Sequence, residues 1–210
     1  MSSSSLWGIK KDYTGEKLEE YGNSWLFSPI VWDTLCEKYI PSDIHTDSLL
    51  KKRIIGFGGE EIWIKANDAL NHSDDTSDRV CWELSNQSVY ATKDKLLIAN
   101  SIRKFAEQNK EYSDKTDDGE WFLQVPHIVE RFEKIASDIK ALDENEYPYF
   151  VFKNTSVDDA VESWFYKYDA ETDDYVSCSL KELEKTVTEF VVIQDEKITD
   201  FVTNIDFKYV

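Results

Sequence analysis

Residues 56–59, Gly-Phe-Gly-Gly, follow a short apolar stretch and have the composition of a phosphate-binding loop. Such a loop binds phosphate through backbone N–H groups at the start of a helix. The dinucleotide-binding fingerprint, however, needs a further glycine near position 61, and the glutamate pair at 60–61 would repel a phosphate. The stretch is better explained as a hairpin turn, or as a turn that leads into a helix through Ile62 and Ala66.

Two acidic stretches have part of the residue spacing of a calcium-binding loop. Residues 114–119 place oxygen ligands at alternate positions and glycine at the sixth, but the twelfth position, which should be a bidentate Glu, is Val125. Residues 169–174 lack the glycine, and Leu180 occupies their twelfth position. Both stretches are therefore predicted to be solvated acidic turns rather than metal sites.

The remaining reactive side chains do not form a catalytic pattern. His127 and Glu130 lie one helical turn apart, but a catalytic zinc ion needs three protein ligands. Pairs such as Asp158–Asp159 are expected by chance in a chain with 42 acidic residues. The sequence contains no nucleophile elbow, no P-loop and no reactive-cysteine signature. We therefore predict no catalytic residue, no metal site and no cofactor, and interpret the protein as a non-enzyme.

The most informative feature is an uneven negative charge. The net charge is −18, and residues 1–110 contain 17 acidic and 14 basic residues, against 25 and 10 in residues 111–210. A field of this sign repels nucleic acid and anionic membranes and attracts basic proteins. Lys51–Arg53 is the one basic cluster, which is too short for a nucleic-acid-binding stripe. The predicted partner is thus a basic protein, with no direct binding to nucleic acid or membrane.

One segment of the acidic half interleaves tyrosines with carboxylates. An acidic rim around aromatic anchors suits a surface that binds a basic protein, because aromatic side chains supply most of the contact energy at protein interfaces. A purely structural role is the alternative, since tyrosine is common on half-buried hairpins. The predicted partner-binding residues are Tyr166, Tyr168, Asp169, Glu171, Asp173, Asp174 and Tyr175.

Together these features favour an acidic inhibitor, most naturally an immunity protein or antitoxin that neutralises a basic toxin such as a nuclease. Such an inhibitor presents carboxylates where the toxin expects phosphates, and it needs no catalytic motif. Three alternatives remain open. They are a phage-type nucleic-acid mimic directed against restriction or CRISPR nucleases, a small enzyme with a site of scattered carboxylates, and an acidic globular protein whose charge serves solubility.

The composition predicts a folded chain, because 41% of its residues are hydrophobic and 14% are aromatic. Three scattered cysteines argue against a disulfide framework. We find neither a secretory signal nor an apolar run of the ~20 residues that span a bilayer. We therefore expect a cytoplasmic protein with a single domain over residues 1–210 and flexible residues 1–5. A subdivision would fall at the polar stretch 113–120.

Apolar spacing and capping residues predict the helices. Ser28 is placed to cap a helix with Pro29 at its first position, and this helix should end before Pro41. Apolar residues at helical spacing predict a second helix over residues 95–110 and a third over residues 126–142.

Short apolar runs predict strands at residues 53–57, 149–152, 187–193 and 198–210. Residues 157–168 fit both helical spacing and strand alternation, and a helix that breaks into a hairpin near Ser163 satisfies both patterns. The hairpin would turn at residues 169–174 and return at residues 175–178. A capping-box pattern at residues 179–182 then opens a short helix. The predicted fold class is α+β, with a partly antiparallel sheet packed with three to five helices.

Overall fold

A computed structural model describes residues 3–22, 27–40, 60–110, 128–155, 164–182, 189–204 and 206. Its α-helices are α1 (Ser28–Tyr39), α2 (Glu60–Asn71), α3 (Thr76–Ser85), α4 (Lys95–Gln108) and α5 (Ile128–Ala141). Its strands are β1 (Ser3–Ile9), β2 (Gly15–Glu20), β3 (Val89–Ala91), β4 (Tyr149–Thr155), β5 (Tyr166–Asp169), β6 (Asp174–Ser177), β7 (Glu189–Gln194) and β8 (Lys197–Thr203). Two 3-10 helices occupy Thr92–Asp94 and Leu180–Glu182. The predicted α+β fold class is confirmed.

Six of the strands form one mixed sheet in the order β2-β1-β4-β3-β7-β8. Neighbouring strands are antiparallel except β3 and β7, which are parallel. The remaining strands, β5 and β6, pair only with each other in this part of the chain and form a two-stranded hairpin. The sheet is therefore partly antiparallel, as predicted.

The N-terminal serines form part of the sheet, so the prediction of a flexible segment through residue 5 is wrong from Ser3 onward. Strand β1 lies between β2 and β4, and its register with β4 runs from Ser3 opposite Thr155 to Ile9 opposite Tyr149. Ser5 is buried and accepts a hydrogen bond from the indole N–H of Trp7 at 2.8 Å. Pairing with two neighbouring strands satisfies the backbone hydrogen bonds of these small residues, which their composition alone does not reveal.

Helix α1 begins and ends close to the predicted positions, but its cap differs from the prediction. The N-cap residue is Phe27, and no side chain caps the helix. Ser28 instead donates its hydroxyl to the carbonyl of Ser85 at 3.3 Å, which joins α1 to the end of α3. The helix ends at Tyr39, as the downstream proline predicts.

Helices α4 and α5 are also confirmed, and they pack against each other in the main hydrophobic core. The rings of Phe105 and Phe132 stack with centroids 5.9 Å apart, and the ring of Phe27, at the start of α1, has its centroid 4.8 Å from that of Phe132. Arg103 forms two hydrogen bonds of 2.7 and 2.8 Å with the carboxylate of Glu133. Elements on both sides of residues 113–120 thus share one core, while residues 113–120 themselves lie outside the described residues.

Several predicted features fall on residues that the structure does not describe. They are the glycine-rich loop at 56–59, the strand at 53–57, the acidic stretch at 114–119 and His127. The helix expected to pass through Ile62 and Ala66 is present as α2. Strand β7 spans Glu189–Gln194. Strand β8 ends at Thr203, whose carbonyl accepts a hydrogen bond of 2.9 Å from Asp206 N–H, and residues 207–210 of the predicted strand lie outside the described residues.

The six-stranded sheet is apolar on both faces. Successive side chains of a strand point to opposite faces. In β4, Phe150 and Phe152 accordingly join the main core with the helices, while Val151 joins a second cluster. The second cluster consists of Trp7, Ile9, Tyr13, Val89, Val151, Phe165, Leu180 and Phe190. Phe165, a member of this cluster, immediately precedes the β5–β6 hairpin.

Candidate partner-binding hairpin

The tyrosine-rich segment forms the predicted hairpin. Tyr166 lies opposite Ser177, and Tyr168 lies opposite Tyr175. The strand interpretation is therefore correct for Tyr166 onward, while residues 156–163 lie outside the described part of the chain. We term residues 168–175, at the far end of this ribbon, the hairpin tip.

Contacts at its base hold the hairpin on the second apolar cluster. Phe165 is 1% exposed, and its ring stacks on Trp7 with centroids 5.0 Å apart and planes 17° apart. The backbone N–H of Cys178 donates to the carbonyl of Phe165 at 2.6 Å and closes the base of the ribbon. A Cβ added to Gly15 would overlap the ring of Phe165, so only glycine fits beneath that ring. The hairpin is therefore attached through a close-packed contact with β1 and β2.

The segment that follows the return strand is hydrogen-bonded to the loop between β1 and β2. Ser179 donates its hydroxyl to the carbonyl of Asp12 at 2.7 Å, and Leu180 N–H donates to the carbonyl of Tyr13 at 3.1 Å. Ser179 Oγ also accepts from the N–H of Lys181 at 3.2 Å. The predicted cap of a short helix is thus present, and the helix is the 3-10 turn Leu180–Glu182.

Tyr168 and Tyr175 form an exposed aromatic pair at the hairpin tip. Their ring centroids lie 5.8 Å apart with an interplanar angle of 68°, an edge-to-face arrangement. Tyr168 is 55% exposed and Tyr175 is 68% exposed, and no other aromatic residue in the described ranges is exposed to this degree. Tyr166 differs, because it is half buried against the second cluster. Its predicted contact with a partner stays a prediction.

The four predicted carboxylates belong to the same hairpin tip as this pair. The carboxylate of Asp173 accepts a hydrogen bond of 2.5 Å from the hydroxyl of Tyr168, and this hydrogen bond raises the pKa of the phenol. Asp174 accepts from the backbone N–H of Tyr175 at 2.7 Å. Asp169 shapes the turn, because it accepts from the N–H of Glu171 at 3.0 Å and from the hydroxyl of Thr172 at 3.1 Å.

The charge at the hairpin tip is uniformly negative. Residues 168–175 contain four acidic and no basic side chains. The nearest lysine in sequence, Lys167, binds the carboxylate of Glu182 at 2.8 Å, which raises the pKa of the lysine and lowers that of the glutamate. The structure therefore brings six of the seven predicted residues together at one tip, with Tyr166 at the start of the same strand.

Comparison of the chain with known protein families, with functionally described proteins and with solved structures finds no match. The site must therefore be interpreted from its own chemistry. Within the described ranges, no three His, Cys, Asp or Glu side chains are grouped so that they could hold a metal ion. Among the helices that the structure describes, none has the length and apolar character needed to cross a membrane.

The residues that support the hairpin were not identified from the sequence. Trp7, Tyr13 and Gly15 lie about 150 positions or more before Phe165 and Ser179, and no local pattern links them. A glycine such as Gly15 can mark a place where a large aromatic side chain packs closely on the backbone. The sequence does not show which aromatic residue it meets, and only the folded structure identifies Phe165.

Proposed function

We propose that the protein is an acidic inhibitor of a basic protein, and that it acts as an immunity protein or antitoxin against a cationic toxin such as a nuclease. The observation that carries this proposal is the exposed edge-to-face pair of Tyr168 and Tyr175 on a hairpin tip with four acidic and no basic side chains. The two exposed aromatic rings present apolar surface to water. A partner that covers them gains free energy because this surface is removed from water.

The chemistry of the hairpin tip selects a basic partner. Aromatic faces attract guanidinium and ammonium groups, at about 0.5–2 kcal/mol for each contact. Carboxylates next to those faces add charge-assisted hydrogen bonds to the same cations. The net charge of −18 increases the rate of encounter with a basic surface, and this increase should fall as salt is added.

A nucleic-acid mimic is a weaker interpretation of the same charge. Such a mimic needs carboxylates spaced along a surface like the phosphates of a duplex. At the hairpin tip, by contrast, the carboxylates of Asp169, Asp173 and Asp174 are grouped around one turn and its two tyrosines. Aromatic anchors within one acidic turn suit protein recognition better than phosphate imitation.

A cytoplasmic location forms part of the proposal. Cys36, Cys81 and Cys178 are buried and form no disulfide among the described residues, an arrangement that suits a reducing compartment. Burial raises the pKa of the Cys81 and Cys178 thiols, which keeps them protonated and poorly reactive.

The first experiment is affinity capture from a native, nuclease-treated lysate, followed by washing with increasing salt. A basic protein that is retained at low salt and released at high salt would provide the partner for quantitative binding. If the retained proteins are not basic, or if salt does not release them, the proposed inhibitor function is contradicted.

With that partner, Asp174→Lys is expected to weaken binding about tenfold or more, because it places a cation beside the aromatic pair. Asp200→Lys is the matched control. Asp200 is also an exposed strand residue, and it accepts from the N–H of Phe201 at 2.8 Å, much as Asp174 does from Tyr175. Both variants change the net charge equally, and calorimetric titration separates a local effect from a general one. Equal losses of affinity in the two variants would show that binding depends only on the overall charge and not on the hairpin tip.

A further inference from the structure

The short central strand β3 leaves a cleft in the sheet. β3 ends at Ala91 and turns into the 3-10 helix Thr92–Asp94, while its parallel neighbour β7 continues to Gln194. The β3–β7 ladder has a single register pair, Val89 with Phe190. Beyond it lies an open space of about 490 Å³ that we term the β3–β7 cleft. This volume is within the range of small-molecule sites, roughly 300–1,000 Å³.

The cleft is apolar on one side and charged on the other. Strands β7 and β8 supply Phe190, Val192 and Val202 to the apolar side. The charged side comes from the turns that flank β3 and β4, and it consists of Lys93, Asp94, Glu144 and Asn145. Two carboxylates and one ammonium give this side a net negative charge. A ligand that matched the whole cleft would therefore combine an apolar body with a positive group.

Asp94 is the residue that points most directly to a ligand. Its side chain lines the cleft and is half buried, and it does not cap the helix α4 that follows it. Among the described residues, its carboxylate accepts no hydrogen bond and forms no ion pair closer than 4.0 Å. Partial burial raises its pKa, although Lys93 acts in the opposite direction. This half-buried carboxylate has no protein donor, so a cation that enters the cleft would form a charge-assisted contact with it in a partly desolvated place.

We propose that the β3–β7 cleft binds a small organic cation, an ammonium or guanidinium group on an apolar body. The charged group contacts Asp94 and Glu144, and the body packs against Phe190, Val192 and Val202. This site is built from elements other than the hairpin tip, so the proposal stands independently of the inhibitor function. A neutral or anionic ligand of the same shape leaves Asp94 without a partner and binds more weakly.

The test uses three probes of nearly equal size that differ in charge: phenethylammonium, 2-phenylethanol and 3-phenylpropanoate. Each is titrated into the isotope-labelled full chain at pH 7.5 while backbone amide shifts are followed by NMR. The ammonium is expected to give saturable shifts at Ala91, Val192 and Val202, with an affinity at least about fivefold above that of the alcohol. Saturation by the carboxylate at equal affinity, or shifts spread evenly over the acidic surface, would overturn the proposal.

The variant Asp94→Asn tests whether the ammonium binds in this cleft or is only attracted by the overall negative charge of the protein. It should reduce the affinity for phenethylammonium about five- to tenfold and leave that for 2-phenylethanol unchanged, because only the charged contact is lost. Asp68→Asn removes the same charge from an exposed position of α2, outside the cleft lining, and should change neither affinity. If both variants weaken the ammonium equally, the cleft does not select the cation. Unchanged amide shifts elsewhere in the spectrum verify that Asp94→Asn is folded.

Discussion

Replacing Glu83 with Gln is expected to raise the free energy of unfolding at pH 8 by about 3 kcal/mol. Glu83 belongs to α3 and is only 6% exposed. Its carboxylate accepts from the Ser88 hydroxyl at 2.9 Å. Burial raises its pKa from 4.5 to about 7, and the charge of Glu189 acts in the same direction, while Ser88 and Arg79 oppose it.

The sign of the effect follows from where the proton binds. Because the folded-state pKa lies above the unfolded value, the folded state holds a proton that the unfolded state releases between pH 4.5 and pH 7. The stability contributed by the protonated carboxyl is fully present below pH 4.5 and is lost as the pH rises toward 7. Above pH 7 the folded protein retains a buried, ionised carboxylate, which the substitution replaces with a neutral amide of the same shape.

Urea denaturation of both proteins at pH 5 and pH 8 tests this prediction. The two should differ by less than about 1 kcal/mol at pH 5 and by about 3 kcal/mol at pH 8. Glu171→Gln, at an exposed turn position, is the control and should leave the curve unchanged at either pH. If the Glu83→Gln variant is equally or less stable than the parent at pH 8, the assignment of a buried, ionisable carboxyl is contradicted.

The second large effect is expected from Phe165→Ala, which should lower the free energy of unfolding by about 3–5 kcal/mol and also weaken partner binding. Phe165 fills the space between Trp7 and Gly15, and the stacked ring of Trp7 loses its neighbour when the side chain is truncated. The cavity would lie directly below the β5–β6 hairpin. The hairpin should therefore lose its fixed orientation as well as its packing energy.

Tyr168→Ala provides the comparison for this variant. Tyr168 is exposed, so its removal should change stability by less than about 1 kcal/mol while weakening binding. Chemical denaturation and calorimetric titration of both variants thus separate a residue that positions the hairpin from one that contacts the partner. If Phe165→Ala retains full affinity under conditions where it is folded, the orientation of the hairpin is irrelevant to binding.

Local sequence signals predicted those elements whose physical cause is local. The helix after Ser28-Pro29 and the helix through Ile98, Ile102 and Phe105 follow from a helix-starting proline and from apolar spacing. The hairpin follows from alternating tyrosines around an acidic turn. In each case, the residues that determine the element lie within about 15 positions of one another.

Strand β1 and the support of the hairpin were not predicted, because their causes are distant in sequence. A run of serines has no strand character of its own, and Ser3–Ser5 become ordered by pairing with β4, about 150 residues later. The contact between Gly15 and Phe165 likewise joins distant parts of the chain. Buried Glu83 gives no sequence signal either, since one acidic residue among 42 reveals its burial only in the folded structure.

The most direct test of the inhibitor function is a hydrogen-exchange footprint of the captured partner on this protein. The amides of residues 166–177 should be slowed by the bound partner, and the Asp174→Lys variant should lose that protection while Asp200→Lys keeps it. Protection confined to another surface, with exchange in residues 166–177 unchanged, would contradict the assignment of the hairpin as the binding site.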